Sequence, residues 1–197
     1  MPPLTSVELF TGAGGLALGV TAAGFKHRLL IEYNKHSCAT LRENRDAWGP
    51  DCNIHEGDVR KFDFRPFAGV DLLAAGAPCQ PFSIGGKHRA HADDRNLFPE
   101  VFRAQREMRP RAVMIENVRG LLRASLAEFV EYIQLQLAHP DILPDKSSDP
   151  DAWLEHLPAL NRSRLVGHVL RLKALPASSH DLLRRLHRRP PSNPGLL

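Results

Sequence analysis

Glu8-Leu9-Phe10-Thr11-Gly12-Ala13-Gly14-Gly15 is the stretch on which the fold turns. Ser6 to Phe10 reads as a strand, a glycine turn follows at once, and Leu16 to Ala23 reads as a helix. Glycines between a strand and a helix let a ligand approach the backbone closely, and the helix start offers free N–H groups. Gly12, Gly14 and Ala17 fit the pattern G-x-G-x-x-A. Glu32 lies about twenty residues on, where a ribose-binding acid belongs. Taken alone, the stretch points to an adenosine-containing cofactor, a dinucleotide included. A tight turn with no ligand is the structural alternative.

The alternation continues outward from there. Leu29-Leu30-Ile31 reads as a second strand ending at Glu32, and His36 to Arg45 as a helix. A short strand is expected near Asn53-Ile54-His55, just before Gly57-Asp58. Val70 to Ala75 and Ala112 to Ile115 read as buried strands, with a helix over Leu97 to Met108 between them. Leu126, Phe129, Val130, Ile133 and Leu137 recur at helical spacing, predicting an amphipathic helix over Ser125–Ala138. Ser125 is its expected N-cap, with Glu128 completing a capping box. This succession predicts an α/β fold, a mostly parallel sheet with helices on both faces. Ligands in such folds bind at the carboxyl ends of the strands, where Glu32, Asp58 and the glycine turn all fall.

Composition excludes some classes. The 197 residues are 43% hydrophobic and 24% charged, as in an ordinary globular protein. No run approaches eighteen apolar residues, so no membrane span is expected. Met1-Pro2-Pro3-Leu4 has no signal-peptide pattern, so a cytoplasmic location is expected. Cys38, Cys52 and Cys79 form no metal-ligand spacing and no even disulfide set. No metal is expected, and Cys38 and Cys52 read as ordinary thiols. The net charge is +4, unevenly spread: residues 161–197 hold eight Lys or Arg against one acid, leaving −3 on residues 1–160. The expected organisation is a domain over 1–140, a linker with a short helix over 141–165, and a basic, disordered tail over 166–197.

Ala77-Pro78-Cys79-Gln80 follows the strand Val70–Ala75, and Glu116-Asn117-Val118 follows the strand Ala112–Ile115. A thiol on a proline-fixed turn past a buried strand is a candidate nucleophile, since thiols ionise readily and are strongly nucleophilic. A carboxyl group at the neighbouring strand end is a candidate general acid. For Cys79 the alternative is a small buried residue.

Several elements together resemble one family, the DNA (cytosine-5)-methyltransferases. They are Phe10-Thr11-Gly12-Ala13-Gly14-Gly15, Glu32-Tyr33-Asn34, Gly57-Asp58-Val59, Gly76-Ala77-Pro78-Cys79-Gln80-Pro81-Phe82-Ser83 and Glu116-Asn117-Val118-Arg119-Gly120. The resemblance covers residues 5–138. It implies a Rossmann-like fold and S-adenosylmethionine as cofactor. Phe10, Gly12 and Gly14 would line that cofactor, Glu32 would hold its ribose, Tyr33 would pack on adenine, and Asp58, with Val59 beside it, would read the adenine amino group. Cys79 would be the nucleophile and Glu116 the acid at ring nitrogen 3 of cytosine. Pro78, Gln80, Ser83, Asn117 and Val118 would shape the substrate side, Asn117 through backbone hydrogen bonds. The DNA base would be flipped out of the duplex, with Phe82 to Arg89 as the closing loop.

The family's later Gln-Arg-x-Arg segment and its target-recognition region are not found in this sequence. The fold is therefore expected to be truncated on its C-terminal side. One subunit of a split enzyme completed by a second polypeptide, a non-catalytic remnant, and an enzyme acting on transfer-RNA cytosine all stand as alternatives.

Overall fold

The computed structural model describes residues 2–78 and 96–142. Cys79, Gln80 and Ser83, the loop Phe82–Arg89, the linker from residue 143 with its expected short helix and the tail from residue 166 lie outside the described residues.

Five strands form one wholly parallel sheet: β1 (Thr5–Leu9), β2 (Lys26–Glu32), β3 (Asn53–Glu56), β4 (Leu72–Ala75) and β5 (Ala112–Ile115), in the order β3-β2-β1-β4-β5. The helices are α1 (Gly15–Ala22), α2 (Lys35–Glu43), α3 (Phe98–Met108) and α4 (Ala127–Ala138). Successive side chains of a strand point to opposite faces, and the core divides accordingly. Val7, Leu9, Leu29, Ile31, Leu73 and Ala75 pack with residues of α3 and α4, among them Phe98, Phe102, Phe129 and Ile133. On the other face, Leu30 packs with Ala17, Leu41 and Trp48, while Leu72 and Ala74 pack with Val20 and Phe25. Both faces of the sheet are thus covered, as the strand–helix alternation predicts.

Three expectations need correction. β2 begins at Lys26 rather than Leu29, because Thr5 and Ser6 pair with Lys26 and His27. His27 looks out of place in a core strand, yet it is 3% exposed and fully partnered. Its Nε2 donates to the Ala17 carbonyl at 3.0 Å and its Nδ1 accepts from Ser6 Oγ at 3.0 Å. Burial lowers its pKa, in keeping with that neutral tautomer. β4 begins at Leu72 rather than Val70, because Asp71 serves as a clasp. Its carboxylate accepts from Thr5 N at 2.8 Å and from Arg111 Nη1 at 2.9 Å. Finally, α4 has no serine cap. A 3-10 turn over Ala124–Leu126 takes up Ser125, and α4 starts after Leu126 with no side-chain cap.

The two edges of the sheet differ. β3 carries Asn53 and Glu56 exposed, whereas β5 is Ala-Val-Met-Ile, each residue half-buried. Among the described residues, β5 pairs only with β4.

Candidate active site

All strands run in one direction, so their carboxyl ends share one rim of the sheet. The glycine turn leaves β1 there. Phe10 adopts a left-handed conformation with φ +58°, uncommon for a residue with a Cβ, and Gly12 and Gly14 follow at +57° and +98°. The two glycines serve different ends. A Cβ on Gly14 would lie 2.8 Å from Trp48 Cη2 and 3.0 Å from Leu41 Cδ2, so Gly14 admits the wall beneath the turn. A Cβ on Gly12 would meet nothing within 4 Å, so that side of the turn is open to a ligand. Trp48, fixed by donating Nε1 to the Leu41 carbonyl at 2.8 Å, escaped the sequence reading because its short 3-10 neighbourhood has no periodic signal.

Glu32 at the end of β2 braces this turn. Its Oε2 accepts from Gly12 N at 2.8 Å, while Oε1 accepts from Tyr33 N at 2.9 Å and Asn34 N at 2.8 Å. A carboxylate offers about four acceptor positions, so roughly one remains, on Oε2. Asn34 caps α2, accepting from His36 N and Ser37 N. The Tyr33 ring stands 77% exposed on the rim. At the end of β3, Asp58 faces a partner that the sequence reading did not assign. Arg60 Nε and Nη2 both donate to its carboxylate at 2.9 Å, and Arg60 N adds a third bond at 3.0 Å. These bonds hold the Asp58 carboxyl below its usual range. Val59 is buried beside it.

The chemistry-bearing strand ends meet one strand over. Gly76 N donates to Leu9 O and Glu116 N to Ala75 O. Asn117 Nδ2 donates to Ala77 O at 2.8 Å, and Asn117 Oδ1 accepts from Val118 N at 2.9 Å. The end of β5 is therefore fastened to the chain that leads through Pro78 towards Cys79. Pro78 is half-buried and Val118 is 60% exposed. A Cβ on Gly76 would lie 3.4 Å from Phe10 O and 3.9 Å from Glu116 Oε2. The Glu116 carboxyl thus sits close to the glycine turn. Cys38 and Cys52 are buried, Cys38 with its Sγ donating to the Glu32 carbonyl at 3.5 Å, and burial pushes both thiols up, Cys52 to about 11. That is the reverse of an activated nucleophile.

Glu8 is a further residue that the sequence reading left without a role. It is fully buried on the α1 face of β1, and both its carboxyl oxygens lack a hydrogen-bond partner. Burial raises its pKa to about 8. The Ala17 N–H pulls the other way without reaching hydrogen-bond geometry.

The open side of Gly12, the free acceptor position on Glu32, the exposed Tyr33 ring and the Asp58 carboxylate fit an adenosine-bearing ligand lying along the ends of β1, β2 and β3. Among the described residues, no group of three or more His, Cys, Asp or Glu is placed to hold a metal ion. Among them too, no helix is long and apolar enough to cross a membrane.

Comparison with known proteins points to one family. The chain is 49% identical over 134 residues to the type II methyltransferase M.NgoMIV of Neisseria gonorrhoeae, a match covering 68% of this chain and 42% of that protein. It is 48% identical over 132 residues to the type II methyltransferase M.Eco47II of Escherichia coli, covering 66% of this chain and 31% of that one. The chain thus spans less than half the length of either relative. In three dimensions it resembles a solved methyltransferase described as a DNA modification enzyme and encoded within a prophage of Escherichia coli. That match has a TM-score of 0.53 and 28% identity, over 66% of this chain and 36% of that one. The family model of C-5 cytosine-specific DNA methylases matches residues 4–139, and the chain belongs to that family.

Proposed function

We propose that this chain provides the cofactor-binding and nucleophile-bearing portion of a DNA (cytosine-5)-methyltransferase of the restriction-modification type, working in the cytoplasm. The observation that carries the proposal is the bond from Asn117 Nδ2 to Ala77 O. It fastens the strand end bearing Glu116 to Ala77, two residues before Cys79 in the sequence, and so supports reading the two as one acid–thiol pair.

In this reading the pocket holds S-adenosylmethionine, which supplies an electrophilic methyl group on a positively charged sulfur. Glu32 holds the ribose through its remaining acceptor position, Tyr33 packs on the adenine, and Asp58 accepts from the adenine amino group. Phe10, Gly12 and Gly14 line the methionine side. Carbon 5 of cytosine is too weak a nucleophile to take a methyl group unaided. The Cys79 thiolate adds to carbon 6 of the flipped base. The electron pair displaced from the 5,6 double bond moves towards ring nitrogen 3, where Glu116 delivers a proton. Carbon 5 would become enamine-like and take the methyl group, the methyl–sulfur bond breaking so that the donor leaves as a neutral thioether. Loss of the carbon 5 proton to a base would then re-form the 5,6 double bond and expel the thiolate, and return of the nitrogen 3 proton to Glu116 would restore the neutral ring. By the family resemblance, Pro78 and Gln80 would orient the thiol, Ser83 would lie on the substrate side, and Val118 would shape it.

The test is transfer of labelled methyl groups to DNA by the chain supplemented with the C-terminal portion of the M.NgoMIV relative. Trapping on DNA that carries 5-fluorocytosine accompanies it. Transfer that is lost in Cys79→Ser, with a covalent adduct at Cys79, is the expected result. Activity that survives Cys79→Ser, or an adduct elsewhere, refutes the mechanism.

A further inference from the structure

Arg103 lies in the middle of α3, away from the residues that bear the chemistry, and is 24% exposed at its side chain. It makes more directed contacts than a helix-surface arginine needs. Nη2 donates to the Val59 carbonyl at 2.8 Å, and Nη1 donates to the Phe62 carbonyl at 2.9 Å. Two carboxylates fix the guanidinium in turn: Glu100 accepts from Nε at 2.8 Å and Glu107 from Nη1 at 2.9 Å. Glu107 also reaches the same segment, accepting from Phe64 N at 2.9 Å. The guanidinium lies over the Phe64 ring, 4.9 Å from its centre. One ionic cluster on α3 therefore holds the backbone at residues 59, 62 and 64, the turn that opens with Asp58.

A planar guanidinium with fixed donors suits this task better than a flexible ammonium. Val59 follows Asp58 directly, so anchoring the Val59 and Phe62 carbonyls restricts movement of the turn from which the Asp58 carboxylate is presented, with Arg60 holding that carboxylate itself. We propose that Arg103 is a positioning residue for the adenine end of the cofactor pocket. By fixing the Val59 and Phe62 carbonyls it aims Asp58 at the exocyclic amino group, and so sets the preference for adenine over an oxo-purine. The proposal rests on the cofactor reading above.

The experiment is calorimetric titration of the full chain with S-adenosylhomocysteine and with its S-inosyl analogue, in which oxygen replaces the amino group. The wild-type chain is expected to prefer the adenosyl compound by about tenfold or more, the usual worth of a hydrogen bond to a charged group. Arg103→Met and Asp58→Asn should each bring the ratio close to one, and the double variant should lower it no further. Arg103→Lys, which keeps a cation able to donate to one carbonyl, should restore part of the preference. If Arg103→Met does not fold, Glu107→Gln serves instead and is expected to lower the ratio. An unchanged ratio in Arg103→Met, or in Glu107→Gln where that variant stands in, overturns the proposal and leaves the arginine as a staple of the fold. Wild-type binding without preference for the amino group overturns the proposal and the Asp58 contact with it, but leaves the rest of the cofactor reading intact. No wild-type binding of either compound removes both.

Discussion

Replacing Glu8 by Gln should flatten the pH dependence of stability in a defined window. Glu8 is fully buried and its carboxyl oxygens are unpartnered, so ionisation in the folded chain places a charge where nothing receives it. Its pKa is raised from 4.5 to about 8. A folded-state value above the unfolded one means that the folded chain holds its proton more tightly. The associated stability is complete below pH 4.5 and is lost as the pH rises through about 8. Each unit of difference is worth about 1.4 kcal/mol, so the full span is about 5 kcal/mol. His27 works in the opposite sense below pH 6.5, because its pKa is lowered by burial. Cys52 enters only above pH 9. Between pH 6.5 and 8 the Glu8 contribution therefore stands apart, at about 2 kcal/mol. Urea unfolding followed by far-ultraviolet circular dichroism, at half-unit steps across that range, measures it. The expected result is a stability advantage of Glu8→Gln over wild type that widens by about 2 kcal/mol from pH 6.5 to 8. Parallel curves for the two proteins would refute the argument that an unpaired buried carboxyl governs this window.

Other consequences can be checked separately. Gly14→Ala drives a methyl group to 2.8 Å from Trp48 in a left-handed backbone, so it should lower stability by about 2–4 kcal/mol, read from urea midpoints. Gly12→Ala meets no neighbour and should lose less, its effect falling mainly on binding of S-adenosylhomocysteine. Arg60→Ala frees the Asp58 carboxylate from its bidentate partner and should tighten S-adenosylhomocysteine binding several-fold by calorimetry. Weaker binding would mean that Arg60 does not compete for that carboxylate. Asn117→Ala removes the tie to Ala77 and should lower stability by about 1 kcal/mol. In the supplemented enzyme it should reduce the methyl-transfer rate more than cofactor binding. Ellman's reagent at pH 8 should leave Cys38 and Cys52 unlabelled on the time scale of minutes, because both thiols are buried with raised pKa values.

Much of the fold is legible in the chain because its strands are short apolar runs between unmistakable turns. Leu72–Ala75 and Ala112–Ile115 announce themselves by composition, and the glycine turn after Leu9 fixes the first strand–helix junction. The start of β2 is hidden because Lys26-His27-Arg28 is an unbroken polar run, and only the three-dimensional partners Ser6 and Ala17 make His27 acceptable inside. The cap expected at Ser125 fails because a local 3-10 turn competes for the same residues. At the site, residue types at strand ends identify Glu32, Asp58, Glu116 and Asn117 as a group. Their engagements are not readable in that way. That Glu32 spends three acceptor positions on backbone N–H groups, that Arg60 grips Asp58 and that Trp48 walls Gly14 are facts of folding. Arg103 is the extreme case, joined to the turn that follows Asp58 across more than forty residues of sequence.

The unlike borders of the sheet give it a direction of growth. A strand arriving beside Asn53–Glu56 would have to strip water from a polar margin. One arriving beside Ala112–Ile115 would shield four aliphatic or thioether side chains at about 25 cal/mol for each Å² of apolar area removed from water. Any added strand, whichever polypeptide carries it, is thermodynamically steered to that second margin, next door to Glu116.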